Sequence, residues 1–155
     1  SIREVKDEYK QYEQSPEIKA KIRKMQQKLA QSRMMQEIPT ASVVITNPTH
    51  YAVALRYGEE ELKLGKAPVL VAKGIDELAI RIKSIAREYG IRIIENPPLA
   101  RAIYRQLDLN QSIPPELFGA VVQVLGEVAY LDALEGKEGL SKILQAANDK
   151  ASSRA

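Results

Sequence analysis

The middle of the chain alternates short apolar runs with polar turns, a pattern that predicts β-strands. Residues 43–45 and 51–55 are rich in Val, Ile, Tyr and Leu, which favour extended structure, and a few turn residues separate them. Two strands so closely joined predict a β-hairpin. A nearly continuous apolar run over 69–74 predicts a buried strand, and residues 91–94 predict another short one.

Helical periodicity separates and follows these strands. Over residues 76–89, apolar side chains recur on one face, and Gly90 is placed to end the helix. Strand, helix and strand predict a right-handed parallel crossover, which together with the antiparallel hairpin makes the sheet mixed. Further helices are predicted over 99–107, after two prolines, and over 116–134, whose apolar face closes the core. The expected fold class is α/β: a small mixed β-sheet of about four strands flanked by helices.

The N-terminal stretch differs in character from the rest. Residues 2–12 and 17–35 are rich in strong helix formers, and a Ser-Pro pair at 15–16 predicts a helix start between them. Between residues 18 and 36 there is no acidic residue, while six basic ones occur: Lys19, Lys21, Arg23, Lys24, Lys28 and Arg33. This segment is predicted to form a basic helical rod.

These patterns predict three parts of the chain. We expect an extended charged helical linker over residues 1–38, an α/β domain over 39–135 and a flexible C-terminal tail over 136–155. The tail contains at most a weak helix over 140–147. Within the α/β domain, the acidic stretch 58–65 is predicted to be a polar, solvated loop.

Composition narrows the class of protein. The chain has 155 residues, 45% of them hydrophobic, which suits a domain with a real core. It has no cysteine and one histidine, so disulfides and thiolate or histidine-rich metal sites are excluded, and no cofactor is expected. No apolar run is expected to reach the roughly 18 residues of a membrane span. The charged start at Ser1 predicts a soluble piece cut from something longer.

The bond between Asn47 and Pro48 permits an unusual reaction. Ordinary deamidation begins when the next backbone nitrogen attacks the asparagine side chain, and proline's nitrogen has no proton to lose in that step. The reverse attack remains open. The Asn47 side-chain nitrogen attacks its own main-chain carbonyl, closes a succinimide and expels Pro48 as an amine. Because this reaction is slow in a flexible peptide, a tight turn is needed to hold the nucleophile near the carbonyl.

The residues of this turn leave two interpretations open, self-cleavage and an inert hairpin loop. His50, the one histidine, lies within reach of the same turn. Histidine titrates near neutral pH, so this side chain can orient the amide or pass a proton to the departing nitrogen. A second such bond, Asn96–Pro97, lacks the hairpin and the histidine and is predicted to stay intact.

Three motifs together narrow the choice: NPTHYAVAL over residues 47–55, VAKG over 71–74 and PPLARAIYR over 97–105. With these motifs the chain resembles the cytoplasmic domain of the type III secretion export-gate and substrate-specificity switch proteins. It looks most like the flagellar branch, and an injectisome counterpart is the alternative within the family. The resemblance runs from about residue 6 to about residue 131.

The resemblance implies one self-cleavage event, by asparagine cyclisation. Asn47 is the implied nucleophile and Pro48 the leaving amine, while Thr49 and His50 complete what we call the NPTH turn (Asn47, Pro48, Thr49 and His50). Fragments 1–47 and 48–155 are implied to stay folded together. Such a single-turnover event is not enzymatic catalysis. Its implied output is control of export substrate specificity, from rod and hook type to filament type.

The resemblance also implies partners and a location. The expected partners are export substrates, a hook-length ruler protein and other export-gate components. Family members carry an N-terminal membrane domain, so the implied location is the cytoplasmic face of the bacterial inner membrane. The basic rod from Lys19 to Arg33 would then face anionic lipid.

Three rival functions fit the sequence less well. A basic-helix module for nucleic acid or membrane explains the rod but not the NPTH turn, and without a recognition motif no nucleic-acid partner is expected. A turnover hydrolase using His50 with Ser42 or Thr46 lacks an acid placed to orient the histidine. A phosphate site at Lys73 and Gly74 lacks a glycine-rich phosphate motif, so Lys73 is kept only as a surface residue.

Overall fold

The computed structural model describes residues 1–153, without the side chains of residues 12–14, and divides into two compact units. The first, residues 1–36, consists of helix α1 (Ile2–Gln14) and most of helix α2 (Pro16–Glu37). These are the two helices predicted over 2–12 and 17–35. This unit ends two residues before the predicted end of the linker.

A four-stranded mixed sheet forms the centre of the second unit, residues 37–155. Its strands are β1 (Val43–Asn47), β2 (Tyr51–Arg56), β3 (Val69–Ile75) and β4 (Ile93–Glu95), in the spatial order β3-β2-β1-β4. Strand β2 pairs antiparallel with β1 and β3, while β1 and β4 are parallel. The predicted fold class and hairpin are confirmed. The fourth strand begins two residues later than predicted.

Helices cover both faces of the sheet. Helix α4 (Asp76–Glu88) connects β3 to β4, which lie at opposite edges, and it packs mainly on β2 and β3. Gly74 permits this close approach, because a Cβ there would lie 2.6 Å from the Leu78 Cβ. Helix α5 (Pro97–Gln106) packs on β1 and β2.

The main hydrophobic core lies between the sheet, α5 and α6 (Phe118–Leu134). Strand residues alternate between the two faces, so every second residue of β1 points into this core. The buried cluster comprises Val43, Ile45, Val53, Leu55, Leu70, Leu99, Ala100, Ile103, Leu107, Ile113, Val121, Val124, Leu125 and Val128. The predicted closing role of the long helix is confirmed, although a 3₁₀ turn (Pro115–Leu117) precedes the α-helix.

Helix α6 also corrects a sequence expectation. By length and composition, Pro115–Leu134 is a stretch apolar enough to cross a membrane, although no run of that kind was predicted. Its apolar character has another explanation in this fold, since Val121, Val124, Leu125 and Val128 form part of the domain core. The helix also carries apolar residues on its exposed side, among them Val122 and Leu134, so the whole stretch is more apolar than a core-facing stripe alone would make it.

The acidic stretch 58–65 is not the solvated loop that was predicted. Residues Glu59–Leu64 form helix α3, and the Glu61 side chain is only 2% exposed. Its Oε1 accepts hydrogen bonds from the Gly58 backbone N–H at 2.9 Å and from the Arg56 Nε at 3.1 Å. A glutamate three residues past the N-cap satisfies a free helix N–H in this way, so the carboxylate is structural.

The C-terminal stretch is helical over a longer range than the sequence predicted. The weak helix expected over 140–147 is helix α7 (Gly139–Ser153), which packs on α6 and α3; residues 154 and 155 lie outside the description. Leu140 and Leu144 pack against the core cluster. Their spacing of four residues places both on one helix face, which gives α7 an apolar side to bury.

Candidate functional site

The NPTH turn lies at one end of the sheet, where β1 leads into β2. Asn47 is the last residue of β1 and pairs with Tyr51, the first residue of β2. The Asn47 residue is 9% exposed, whereas Pro48, Thr49 and His50 are exposed to solvent. The fold therefore brings the four predicted residues together, with the predicted nucleophile at the boundary between the sheet and water.

Thr49 holds the side-chain amide of Asn47 in a fixed orientation. The Asn47 Oδ1 accepts a hydrogen bond from the Thr49 hydroxyl at 3.0 Å and another from the Thr49 backbone N–H at 3.4 Å. Such local contacts are typical of asparagine in turns. Because the oxygen is held by Thr49, the amide nitrogen is turned to the other side, free of a protein acceptor within the described residues.

The carbonyl of the Asn47–Pro48 bond is also held. Its oxygen accepts a hydrogen bond from the backbone N–H of His50 at 3.1 Å, closing the turn. A donor on this oxygen withdraws electron density from the carbonyl carbon and stabilises the negative charge that an attacking nucleophile creates. The turn thus supplies one electrostatic element that acyl-transfer chemistry uses.

Asp76 is a neighbour of His50 that the sequence did not reveal. The His50 Nδ1 lies 3.7 Å from the Asp76 Oδ1, and the His50 carbonyl accepts from the Asp76 backbone N–H at 3.1 Å. The expectation that no acid is placed beside the histidine is therefore wrong. The proximity follows from strand register. Because Tyr51 pairs with Ile75 in antiparallel strands, the residue before β2 lies opposite the residue after β3.

The base of the turn is fixed by contacts beneath it. The Thr46 hydroxyl donates to the Tyr51 carbonyl at 2.8 Å, and the Tyr51 ring lies 5.1 Å from that of Tyr104. Lys73 lies with its Nζ 4.7 Å from the centre of the Tyr104 ring and donates to the carbonyls of Tyr104 and Leu107 at 3.0 and 2.9 Å. Lys73 is therefore half-buried and structural, not the surface residue that was expected.

The second asparagine–proline bond has a different setting. The Asn96 side-chain oxygen accepts from the Leu99 backbone N–H at 3.3 Å and caps helix α5, which begins at Pro97. The Asn96 N–H donates to the Thr46 carbonyl at 3.0 Å. This asparagine thus serves the helix start. Its bond remains predicted to stay whole.

The hydrolase alternative gains no support from the geometry. The Ser42 hydroxyl donates to the Tyr57 carbonyl and accepts from the Tyr57 N–H, at the opposite end of the hairpin from His50. The Thr46 hydroxyl is engaged with Tyr51. Among the side chains that the structure describes, no group of three or more acidic or histidine residues is arranged to hold a metal ion.

Two of the clefts on the second unit are relevant to function. One, of about 250 Å³, lies beside the NPTH turn and is lined by Pro48, Thr49, His50, Asp76, Glu77, Ala79, Ile80 and Lys83. The other, of about 520 Å³, is mostly apolar; its lining includes Pro68, Val121, Val122 and Leu125 and, from α7, Leu144. Both are open to solvent.

Comparisons with known proteins agree with this architecture. Residues 1–128 match the FlhB HrpN YscU SpaS family. The flagellar biosynthetic protein FlhB of Helicobacter pylori is 60% identical over 141 residues, which cover 91% of this chain and 38% of that protein. FlhB of Salmonella typhimurium is 47% identical over 131 residues, covering 84% of the chain and 33% of that protein. The chain thus spans between a third and two-fifths of the length of these relatives.

Solved structures show the same fold. The crystal structure of the cytoplasmic domain of FlhB from Shewanella putrefaciens matches with a TM-score of 0.64 and 47% identity, over 70% of this chain and 81% of that one. A mutated C-terminal domain of EscU matches with a TM-score of 0.54 and 32% identity, over 58% and 87% of the two chains. These matches confirm the family expected from the motifs: the chain belongs to the FlhB HrpN YscU SpaS family.

Proposed function

We propose that this chain is the cytoplasmic part of a flagellar export-apparatus protein and cuts its own backbone once, between Asn47 and Pro48. The flagellar assignment rests on relatives that are flagellar biosynthetic proteins. The cytoplasmic assignment rests on the solved cytoplasmic domain of FlhB. The observation that carries the cleavage is the NPTH turn itself, where one asparagine has its side-chain oxygen held by Thr49 and its carbonyl oxygen held by the His50 N–H.

The reaction conserves its protons and ends in two fragments. The Asn47 Nδ2 forms a bond to the Asn47 carbonyl carbon and loses one proton. The bond from that carbon to the Pro48 nitrogen breaks, and this nitrogen takes up one proton and becomes a free secondary amine. Water then opens the succinimide left at residue 47. The protein acts on itself once and does not turn over, so it is not an enzyme in the usual sense.

Three groups of the turn have separate roles in this scheme. The Thr49 contacts orient the amide so that its nitrogen, not its oxygen, is available for attack. The His50 N–H stabilises the oxyanion that forms on the Asn47 carbonyl. The imidazole of His50 exchanges the proton that leaves the amide and reaches the proline nitrogen.

The fragments are expected to stay associated because the cut leaves the sheet intact. Strand β1, in fragment 1–47, pairs with β2 on one side and β4 on the other, both in fragment 48–155. Val43, Val44 and Ile45 are 0% exposed. Each such side chain contributes about 1.5–3 kcal/mol on burial, which offsets the loss of one covalent link.

The proposed output is a change at the surface around the cut. Before cleavage the turn forms one wall of the 250 Å³ cleft against Asp76 and Ile80. After it, the free ends at Asn47 and Pro48 are no longer tied, so this wall rearranges and alters which export substrates the apparatus accepts. The proposed partners are export substrates, a hook-length ruler protein and other export-gate components. The apolar 520 Å³ cleft offers a surface for an apolar substrate segment.

An asparagine–proline dipeptide has been varied in a family relative. Two matched EscU C-terminal domain structures are of variants, one with an asparagine changed to alanine and one with the following proline changed to alanine. The same dipeptide type lies at residues 47 and 48 of this chain.

The basic rod gives a second proposal, contact with an anionic membrane surface. Its six basic residues, Lys19 to Arg33, are all exposed. Each basic residue near an anionic surface contributes about 1 kcal/mol, an attraction that salt screens. Sedimentation with phosphatidylserine vesicles, compared with phosphatidylcholine vesicles, tests this; binding that is equal for both, or that favours nucleic acid, would contradict it.

Denaturing electrophoresis beside native sizing tests the cleavage proposal. The wild-type chain is expected to run as one species natively and as two fragments after denaturation. The Asn47→Ala variant is expected to stay whole, since it lacks the side-chain amide. Asn96→Ala is the matched control and is expected to cleave normally. Cleavage of the Asn47→Ala chain at the same bond would contradict the cyclisation mechanism.

A further inference from the structure

We infer that Asp76 is a positioning residue for His50 in the self-cleavage reaction, an inference that rests on the proposed function. Asp76 belongs to a different element from the turn, since it is the first residue of α4. It reaches the turn twice, through its carboxylate and through its backbone. The relevant contacts are the 3.7 Å separation of His50 Nδ1 and Asp76 Oδ1 and the 3.1 Å hydrogen bond from the Asp76 N–H to the His50 carbonyl.

The backbone of Asp76 is held in an uncommon conformation. Its φ is +48°, in the left-handed region that non-glycine residues seldom adopt. Asparagine and aspartate tolerate this region best, and strain of this kind persists where surrounding contacts impose it. Here the preceding residue, Ile75, is the last residue of β3 and pairs with Tyr51, so the chain turns sharply into α4 directly opposite His50. The left-handed conformation accompanies the approach of the carboxylate to the imidazole.

At 3.7 Å the contact is an electrostatic one, longer than a hydrogen bond, between side chains that are 64% and 70% exposed. A carboxylate this close to Nδ1 biases which nitrogen of a neutral imidazole carries the proton. It favours the tautomer with hydrogen on Nδ1 and leaves Nε2 unprotonated. In the cleavage scheme, Nε2 then takes the proton from the Asn47 amide as the new C–N bond forms. It returns that proton to the Pro48 nitrogen as the old C–N bond breaks. His50 ends as it began, and Asp76 acts only through it.

Other charged groups face the same cleft, and their effects on His50 must be distinguished from the effect of Asp76. Glu77 and Lys83, both on α4, line it together with His50. Asp76 also lies in the first turn of α4, where a carboxylate stabilises the helix N-terminus whether or not it affects His50. A purely structural role predicts a change in stability and no dependence on the histidine.

The test uses Asp76→Asn, which keeps the size and the tolerance of positive φ but removes the charge. First-order cleavage of refolded chain is expected to slow about 3-fold to 10-fold, part of the roughly 100-fold that a positioned acid–base group contributes. The dependence of its cleavage rate on pH should also differ from that of the wild-type chain. In a His50→Ala background the same substitution is expected to have no further effect. Glu77→Gln is the matched control and should cleave at the wild-type rate.

A second measurement is independent of cleavage. In the Asn47→Ala chain, which stays whole, ¹⁵N NMR of His50 is expected to report mainly the Nδ1–H tautomer, and Asp76→Asn is expected to reduce its share. An unchanged tautomer, or equal slowing by Asp76→Asn with and without His50, would overturn the positioning role. A wild-type chain that never cleaves would instead overturn the proposed function, while the tautomer result still decides whether Asp76 orients the ring.

Discussion

Thr49 donates two hydrogen bonds to the side-chain oxygen of Asn47, one from its hydroxyl at 3.0 Å and one from its backbone N–H at 3.4 Å. A substitution at Thr49 can remove one of these donors and leave the other. The backbone donor survives any substitution other than proline, whereas the hydroxyl depends on the side chain. The pair therefore allows the orientation of the nucleophile to be tested without unfolding the turn.

Replacing Thr49 by alanine is expected to slow cleavage without destabilising the domain. The net free-energy contribution of a hydrogen bond is about 0.5–1.5 kcal/mol, so losing the hydroxyl should lower the cleavage rate roughly 2-fold to 10-fold. Because Thr49 is exposed, the urea midpoint should stay near that of wild type. Thr49→Ser keeps the hydroxyl and is the control. Equal rates for the alanine and serine variants would show that the hydroxyl does not orient Asn47.

The buried carboxylate of Glu61 is expected to matter for stability alone. Glu61→Ala leaves the Gly58 N–H without its acceptor and Arg56 without its 3.1 Å partner, which should cost about 2–4 kcal/mol. Urea unfolding of the uncleaved Asn47→Ala chain measures this. The neighbouring exposed residue supplies the control, since Glu60→Ala should stay within about 0.5 kcal/mol. A similar small change for both variants would contradict a structural role for Glu61.

Helix α7 is expected to stabilise the domain through its apolar face. Leu144 packs against the core cluster and is half-buried, so Leu144→Ala should cost about 1–2 kcal/mol, less than a fully buried leucine. Ser141→Ala, on the exposed face, should change little. Urea unfolding again provides the measurement. If truncating Leu144 left the free energy of unfolding unchanged, α7 would not be part of the folded unit.

Acid is expected to weaken the contact between Glu135, directly after α6, and Arg92, directly before β4. The Arg92 guanidinium, 3.1 Å from the Glu135 carboxylate, lowers the pKa of Glu135 below its ordinary value of 4.5. The unfolded chain therefore binds this proton more readily than the folded one. The pair's stabilisation is present above pH 4.5 and is lost as pH falls through the lowered pKa. Glu135→Gln should flatten this part of the stability profile, whereas Glu138→Gln should not; identical profiles would contradict the ion pair.

Much of the fold follows from local sequence. The β-branched and aromatic residues of 43–55 specify the hairpin, and the apolar repeat of 76–89 specifies α4, because each element buries one face that its own residues define. The position of the NPTH turn between the two hairpin strands was likewise predictable, since its four residues are contiguous and lie between two β-forming runs.

The features that sequence missed depend on register and on distant partners. The proximity of Asp76 to His50 depends on how β2 pairs with β3, which no local pattern reveals. In sequence, Glu61 cannot be distinguished from the exposed glutamates beside it. Only the fold brings Arg56 and the Gly58 N–H within hydrogen-bond distance of its carboxylate. Lys73 finds its carbonyl partners 31 and 34 residues along the chain. Such contacts form only when the sheet and helices are assembled.

The measurement that tests the central claim most directly is the intact mass of the fragments that the wild-type chain yields. Cyclisation predicts a residue 48–155 fragment beginning at Pro48 and a residue 1–47 fragment that is at first one water lighter than its acid form. Added hydroxylamine should trap that lighter species as a hydroxamate. A chain that stays whole, a cut at another bond, or a 1–47 fragment that appears only as the acid and is never trapped would contradict the account.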